Sequence, residues 1–154
     1  MTKISCVRTL GFDAGHRVYG HEGKCSDLHG HRYKVELHAR AHEGLDALGR
    51  VVDFSVLKEE VGGWIDRHWD HGLILYSLDP LGDHLSEFVE EEPAPEGMGR
   101  LLKLSRLPGN PTAENLAGFL LHVVCPEVLA DEGCAVFKVV VWETPNCFAV
   151  AEVE

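Results

Sequence analysis

The chain has 154 residues, 45% of them apolar and 25% charged, and a formal net charge of -11 at pH 7. This length and composition are typical of one globular domain, and the acidic balance argues against a general nucleic-acid surface because phosphates repel it. No apolar run is long enough to cross a bilayer and the first residues begin no signal peptide, so we expect a cytoplasmic protein without membrane contact. Five cysteines form no tight framework, which favours reduced thiols.

Two strands are predicted in the first third of the chain, at residues 3–14 and 31–43. The apolar residues of the second strand occupy every other position: Tyr33, Val35, Leu37, Ala39 and Ala41. Charged and polar residues fill the positions between them, so this strand has one buried face and one solvated face. His38 and His42 fall on the solvated face and need no function, whereas His31 falls on the same side as Tyr33.

Two main helices are predicted further along the chain. The first spans residues 54–68, with Asp53 or Ser55 as its cap and apolar residues at helical spacing. The second begins with Asn110 as its cap, presents one apolar face, and ends at Pro126.

The remaining segments complete a small domain. A weak helical pattern over residues 83–100 ends in an acidic, proline-containing run at 90–97, which is typical of a solvated loop. Residues 101–104 have the pattern of a short strand, and residues 134–143 and 148–153 are predicted to form a hairpin. The order of elements predicts one α+β domain, with two main helices on one face of an antiparallel sheet of four strands.

Histidines at the ends of the first two strands indicate a metal site. His29 and His31 flank Gly30 and point to the same side of an extended backbone, and the glycine leaves room beside them. His16 is the best third candidate, because neighbouring antiparallel strands bring these ends together. Three neutral imidazoles bind zinc and leave a fourth position open for chemistry. Each histidine taken alone is more often structural or solvated than a ligand.

Four further residues have both a chemical and a structural interpretation. Cys25 is either a small buried hydrophobe or a thiol whose ionised form a nearby cation favours. Asp70 and His71 are either the polar end of a helix or a carboxylate-oriented histidine that transfers protons. Glu143 lies in an otherwise apolar strand, so it is either at a solvated strand end or buried to bind a ligand with several N–H donors.

Taken in order, these elements resemble the 6-pyruvoyl-tetrahydropterin synthase superfamily over nearly the whole chain, and most of all its bacterial branch, the 6-carboxy-5,6,7,8-tetrahydropterin synthases of queuosine biosynthesis. The matching segments are Phe12-Asp13-Ala14-Gly15-His16, Cys25-x3-His29-Gly30-His31, Val52-Asp53-Phe54, Asp70-His71, Asn110-Pro111-Thr112-Ala113-Glu114-Asn115 and Trp142-Glu143-Thr144. The resemblance implies that residues 1–154 form a single domain of the tunnelling fold (T-fold), in which sheets from several subunits close into a barrel. Members of the superfamily are typically homo-oligomers, hexamers built from two trimers, with sites at subunit interfaces.

The resemblance also implies roles for individual residues. The zinc ligands would be His16, His29 and His31. The catalytic group would be Cys25 as general base, Asp70 and His71 as a proton relay, and Glu143. Glu143 also matches the acid that anchors the pterin ring, and two residues match the helix start that lines the pterin pocket: Thr112 and Glu114.

The substrate implied by the resemblance is 7,8-dihydroneopterin triphosphate, and the products are 6-carboxy-5,6,7,8-tetrahydropterin, acetaldehyde and triphosphate. Two alternatives remain: a 6-pyruvoyl-tetrahydropterin synthase that eliminates triphosphate, and a zinc- and pterin-binding oligomer without catalysis. A third branch of the superfamily, associated with folate synthesis, has Glu in place of the cysteine, and Cys25 argues against it. Arg17 and Lys24 lie nearby in sequence and are candidate cations for the triphosphate.

Overall fold

The computed structural model describes residues 2–90 and 102–154. Its framework is a six-stranded sheet with the strand order β4-β3-β1-β2-β5-β6. The strands are β1 Cys6–His16, β2 His29–Ala41, β3 Gly72–Tyr76, β4 Leu104–Leu107, β5 Cys134–Thr144 and β6 Cys147–Glu152. The long strands β1 and β2 lie in the middle and carry the histidines at one end.

The four predicted antiparallel strands are present as β1, β2, β5 and β6, but the sheet is mixed because two more strands extend it. β3 pairs in parallel with β1, and β4 pairs in parallel with β3. Leu73, Ile74 and Leu75 of β3 are all buried, so this strand is covered on both faces and shows no alternation. β4 begins at Leu104 rather than at 101, and Leu101 itself lies outside the described residues.

Three helices accompany the sheet. Helix α1 consists of three consecutive segments, Phe54–Val56, Leu57–Gly62 and Gly63–His68, and matches the first predicted helix. Helix α2 spans Pro80–Glu90, so the weak pattern at 83–100 is helical in its first half, and most of the acidic run falls outside the described residues. Helix α3 comprises Ala113–Phe119, Leu120–Val124 and Cys125–Val128.

Both ends of α3 differ from the prediction. Thr112, not Asn110, caps the helix, because its hydroxyl oxygen accepts a hydrogen bond from the Asn115 backbone N–H at 3.2 Å. Pro126 does not end the helix, which continues to Val128. The proline lies in the first turn of the last segment, Cys125–Val128, directly after a π-helical turn.

The core lies between the sheet and helices α1 and α3. Strand β2 alternates as predicted, and its buried residues Tyr33, Val35, Leu37 and Ala39 pack in one cluster with apolar residues of both helices. The other face of β2 remains open and carries the charged positions. No helix within the two described ranges is long and apolar enough to cross a membrane.

Candidate active site

The register of the two central strands brings the three histidines together. His16 on β1 is directly opposite His29 on β2, and Ala14 is opposite His31. Opposite residues share a face of the sheet, as do residues two apart on one strand, so all three imidazoles project to the same side. One ring nitrogen of each histidine lies within 4.8 Å of those of the other two. The structure therefore confirms that the ends of the two strands meet.

Backbone carbonyls fix two of the three rings. His16 Nδ1 is 2.7 Å from the carbonyl oxygen of Pro111, and His29 Nδ1 is 2.7 Å from that of Asp27. A carbonyl oxygen only accepts, so the neutral form of each ring carries its proton on Nδ1 and presents a lone pair at Nε2. These two Nε2 atoms face each other at 3.1 Å, and two lone pairs are held at that distance only if they share a cation or a proton.

His31 completes a donor set that fits a metal ion. Its Nε2 is buried and has no hydrogen-bond partner among the described residues, although a carboxylate oxygen of Glu143 lies 3.3 Å away. Burial lowers the pKa of both His16 and His31, so their rings are neutral at pH 7 and their lone pairs are available. Three converging imidazole nitrogens, two of them on rings whose tautomer a carbonyl sets, can hold a divalent ion such as zinc, copper, iron or nickel.

Two cavities meet at His31. The larger, of 610 Å³, extends from His31 to Glu143 and is also lined by Arg32, Lys34 and Trp142. The smaller, of 440 Å³, extends from His31 to His71 and shares Arg32 with the first. A ligand beside the histidines can therefore reach both the Glu143 carboxylate and the His71 ring.

Asp70 and His71 form the predicted carboxylate–histidine pair. Asp70 Oδ2 is 2.8 Å from His71 Nδ1, while Asp70 Oδ1 accepts a hydrogen bond from the Asp13 backbone N–H at 3.0 Å. Burial opposes ionisation of Asp70, but these hydrogen bonds outweigh it and hold the pKa of the carboxyl below its usual value. His71 has a φ of 56°, in the left-handed region that favours glycine, and its ring is 77% exposed. The pair is thus built into a strained turn with the His71 ring facing outward.

Cys25 lies in the connection between β1 and β2. It is half-buried in a single 3₁₀ turn, Lys24–Ser26, and its carbonyl accepts a hydrogen bond from Val18 N–H at 2.7 Å. Only Asp27 and Leu28 separate this turn from His29, so the thiol belongs to the loop that borders the histidines. All five cysteines are free thiols, as the sequence predicts.

Thr112 and Glu114 have a less direct relation to the histidines. The Thr112 side chain caps α3 and Glu114 is exposed, and neither lines the two cavities formed by the described part of this chain. The helix start reaches the site through the backbone of Pro111. A role for Thr112 and Glu114 in substrate binding stays a prediction.

Arg17 has a structural partner. Its guanidinium makes two hydrogen bonds to Asp79, of 2.7 and 2.5 Å, and Asp79 is completely buried. Asp79 Oδ1 also accepts the Leu81 N–H at the start of α2. The pair joins the end of β1 to α2, so this guanidinium is already engaged.

Replacing Arg17 is expected to destabilise the fold. Arg17→Gln leaves the Asp79 carboxylate buried without its cation, which costs about 3 kcal/mol of unfolding free energy at neutral pH. The Arg17 hydrogen bonds lower the pKa of Asp79, so this stabilisation exists above the unfolded-state pKa and disappears as pH falls through the lowered value. Urea unfolding of wild type, Arg17→Gln and the exposed control Arg67→Gln at neutral and acid pH measures this loss of unfolding free energy. An equal loss at both pH values would contradict the assignment.

The fold and the site together define a class: an α+β protein whose mixed sheet carries a cluster of three histidines that can hold a metal ion, beside a cavity lined by Glu143. The family model described as 6-pyruvoyl tetrahydropterin synthase matches residues 5–154. The chain belongs to the 6-pyruvoyl tetrahydropterin synthase family.

Curated relatives extend this similarity along the chain. A protein of Rickettsia bellii named 6-carboxy-5,6,7,8-tetrahydropterin synthase is 39% identical over 146 residues, covering 94% of this chain and 97% of the relative. A protein of the same name from Haemophilus influenzae is 30% identical over 150 residues, covering 96% of each. The chain is therefore an enzyme, a lyase of the type to which these relatives belong.

Solved structures share the fold. An uncharacterized protein from Wolinella succinogenes superposes with a TM-score of 0.79 at 26% identity and covers 100% of both chains. The 6-pyruvoyltetrahydropterin synthase of Plasmodium vivax superposes with a TM-score of 0.68 at 20% identity, covering 100% of this chain and 99% of that one. The T-fold expected from the sequence is confirmed, with a mixed sheet and two main helices.

Sequence reasoning found the side chains of this site but missed several of its supports. The carbonyls of Asp27 and Pro111 carry no residue-type signal, because every residue has a carbonyl. The approach of Glu143 to His31 depends on the pairing of β2 with β5. Arg32 and Lys34 look like ordinary members of a solvated strand face, and only the cavity distinguishes them.

Proposed function

We propose that this enzyme converts 7,8-dihydroneopterin triphosphate to 6-carboxy-5,6,7,8-tetrahydropterin, acetaldehyde and triphosphate, with Zn²⁺ as cofactor, in queuosine biosynthesis. The observation that supports the proposal is the convergence of His16, His29 and His31, whose member His31 has a buried Nε2 without a hydrogen-bond partner among the described residues and lines the Glu143 cavity. The names of the curated relatives support the choice of product.

The three imidazoles would hold the zinc ion, with His16 and His29 oriented by their carbonyl partners. Bound zinc supplies Lewis acidity, which lowers the pKa of hydroxyl groups on the substrate side chain. The protein residues around it then need only position the substrate and move protons.

Cys25 and the Asp70–His71 pair are the proposed proton-transfer groups. Cys25 takes a proton from the substrate side chain as general base, from the loop that ends at His29. Asp70 holds the Nδ1 proton of His71, so Nε2 of that ring is free to accept a proton or to return one. Glu143, across the larger cavity, completes this catalytic group.

Glu143 is also the proposed anchor for the pterin ring. A carboxylate accepts two N–H donors at once, and the amino and ring N–H groups of a pterin present such a pair. Trp142 lines the same cavity and provides an apolar wall. Thr112 and Glu114 are proposed to contribute to the pterin pocket from the start of α3.

Residues 1–154 are proposed to act as one domain within a cytoplasmic homo-oligomer, a hexamer of two trimers, that binds neither nucleic acid nor membrane. Edge strands support the assembly: within the described ranges, β4 and β6 each pair on one side only. Phe148 and Val150 of β6 are 53% and 46% exposed, which is unfavourable for a free edge. Closing sheets from several subunits into a barrel would cover them.

Product analysis tests the proposed reaction. Purified enzyme is incubated with 7,8-dihydroneopterin triphosphate, and acetaldehyde and triphosphate are quantified together. Equal amounts of both products are expected. Triphosphate with a pyruvoyl pterin and no acetaldehyde would identify a 6-pyruvoyl-tetrahydropterin synthase, and substrate binding without any product would identify a binding protein.

A further inference from the structure

Two cations of β2 face the larger cavity from the open side of the sheet. Arg32 and Lys34 alternate with Tyr33 on the strand that begins with His29 and His31. Both line the 610 Å³ cavity with Glu143, and Arg32 also lines the smaller cavity that leads to His71. The chain as a whole has a net charge of -11, so two neighbouring cations at one cavity are a local patch of positive charge on an acidic protein.

Arg32 is positioned by its neighbours on β1. Its guanidinium lies over Gly11, where an added Cβ would come within 2.8 Å of Nη2, so the glycine makes room for it. Nη1 donates to Asp13 Oδ2 at 3.1 Å, and this is its single side-chain hydrogen bond to the residues described. Because Arg32 is 67% exposed, Nε and Nη2 can still bind a ligand.

Lys34 is oriented by an aromatic ring. Its Nζ lies 4.5 Å from the centroid of the Trp142 ring, and Trp142 Nε1 is 3.2 Å from a carboxylate oxygen of Glu36. Lys34 is exposed and forms no ion pair with any residue in the described ranges. Its ammonium group is therefore available to a ligand at the cavity wall.

We infer that Arg32 and Lys34 bind the triphosphate group of the substrate, an inference that rests on the proposed function. Arginine presents a planar fork that matches phosphate oxygens, and lysine adds a point charge beside it. Arg17, which directly follows His16 in sequence, is engaged by buried Asp79. The cavity thus pairs a carboxylate for the pterin donors with two cations for the polyanionic tail.

Two ligands that differ only in phosphate test the inference. The Kd values of dihydroneopterin triphosphate and dihydroneopterin are measured by titration calorimetry on metal-replete Cys25→Ala protein, in which turnover is slow, and on the same protein with Arg32→Gln or Lys34→Gln added. Each substitution is expected to weaken triphosphate binding about tenfold or more and to leave dihydroneopterin binding within about twofold. Arg67→Gln, which removes an exposed charge from α1, is the matched control and is expected to change neither value.

Gly11→Ala provides a variant that keeps both charges. The new methyl group displaces the Arg32 guanidinium, so triphosphate affinity should fall while dihydroneopterin affinity stays constant. Equal weakening of both ligands by Arg32→Gln and Lys34→Gln, or an equal effect of Arg67→Gln, would overturn the inference.

Failure of the proposed function gives a different result. If wild type binds neither pterin, the proposed function is wrong, and inorganic tripolyphosphate decides the inference separately. Weaker tripolyphosphate binding by Arg32→Gln than by Arg67→Gln, at unchanged metal content, would support an anion site. Equal binding by both variants would overturn it.

Discussion

His31→Ala is expected to lower metal affinity more than about 100-fold and to reduce turnover at least about a thousandfold. The substitution leaves two imidazoles where three converge, and it removes the buried Nε2 that has no hydrogen-bond partner among the described residues. Metal content after dialysis and initial rates on the same preparation measure both effects.

His42→Ala is the control for this variant, because His42 is an exposed histidine just beyond the opposite end of the same strand. It should retain full metal content and activity. A His31→Ala protein that is folded, metal-loaded and active would show that the three rings are a structural cluster. Loss of activity in both variants would show that the effect does not arise at the metal centre.

Cys25→Ala is expected to lower the rate about 10²- to 10⁴-fold while the protein keeps its metal, since a general base contributes about that much. Cys25 is not among the three residues whose ring nitrogens converge, so its removal leaves the donor set intact. The rate and the metal content are measured over a range of pH, and the pH dependence due to the thiol should disappear.

Cys6→Ala is the matched control, because Cys6 is a half-buried free thiol at the far end of β1 from His16. It should leave both the rate and the pH profile unchanged. A Cys25→Ala enzyme with the wild-type rate and pH profile would exclude the thiol as the base. Loss of metal together with activity would instead assign Cys25 to the support of the metal site.

Regular alternation and helical spacing made the central elements predictable. Strand β2 and helix α1 agree with the sequence pattern because each has one buried face, which fixes the period of its apolar residues. Strand β3 was not predicted as part of the sheet because it is short and buried on both sides, so its residues do not alternate. Pro126 was misleading because it lies in the first turn of a last helical segment that follows a π-helical turn, and the π-helical turn has no clear sequence signal.

In the candidate site, too, some contacts follow from the sequence pattern and others depend on tertiary packing. His16, His29 and His31 could be grouped from sequence because antiparallel neighbours must align their ends. Contacts that depend on tertiary packing could not: the Pro111 carbonyl reaches His16 across 95 positions of sequence, and Arg17 finds Asp79 across 62. Such partners follow from the fold as a whole rather than from any local pattern.

A zinc titration of chelator-treated wild-type enzyme tests the central claim most directly. Turnover of 7,8-dihydroneopterin triphosphate is followed as Zn²⁺ is added, with bound metal measured at each point. If the three histidines form a catalytic metal centre, activity should rise linearly and reach a plateau at one ion per chain. Full turnover by the metal-free enzyme, or bound zinc without any gain in activity, would contradict this account.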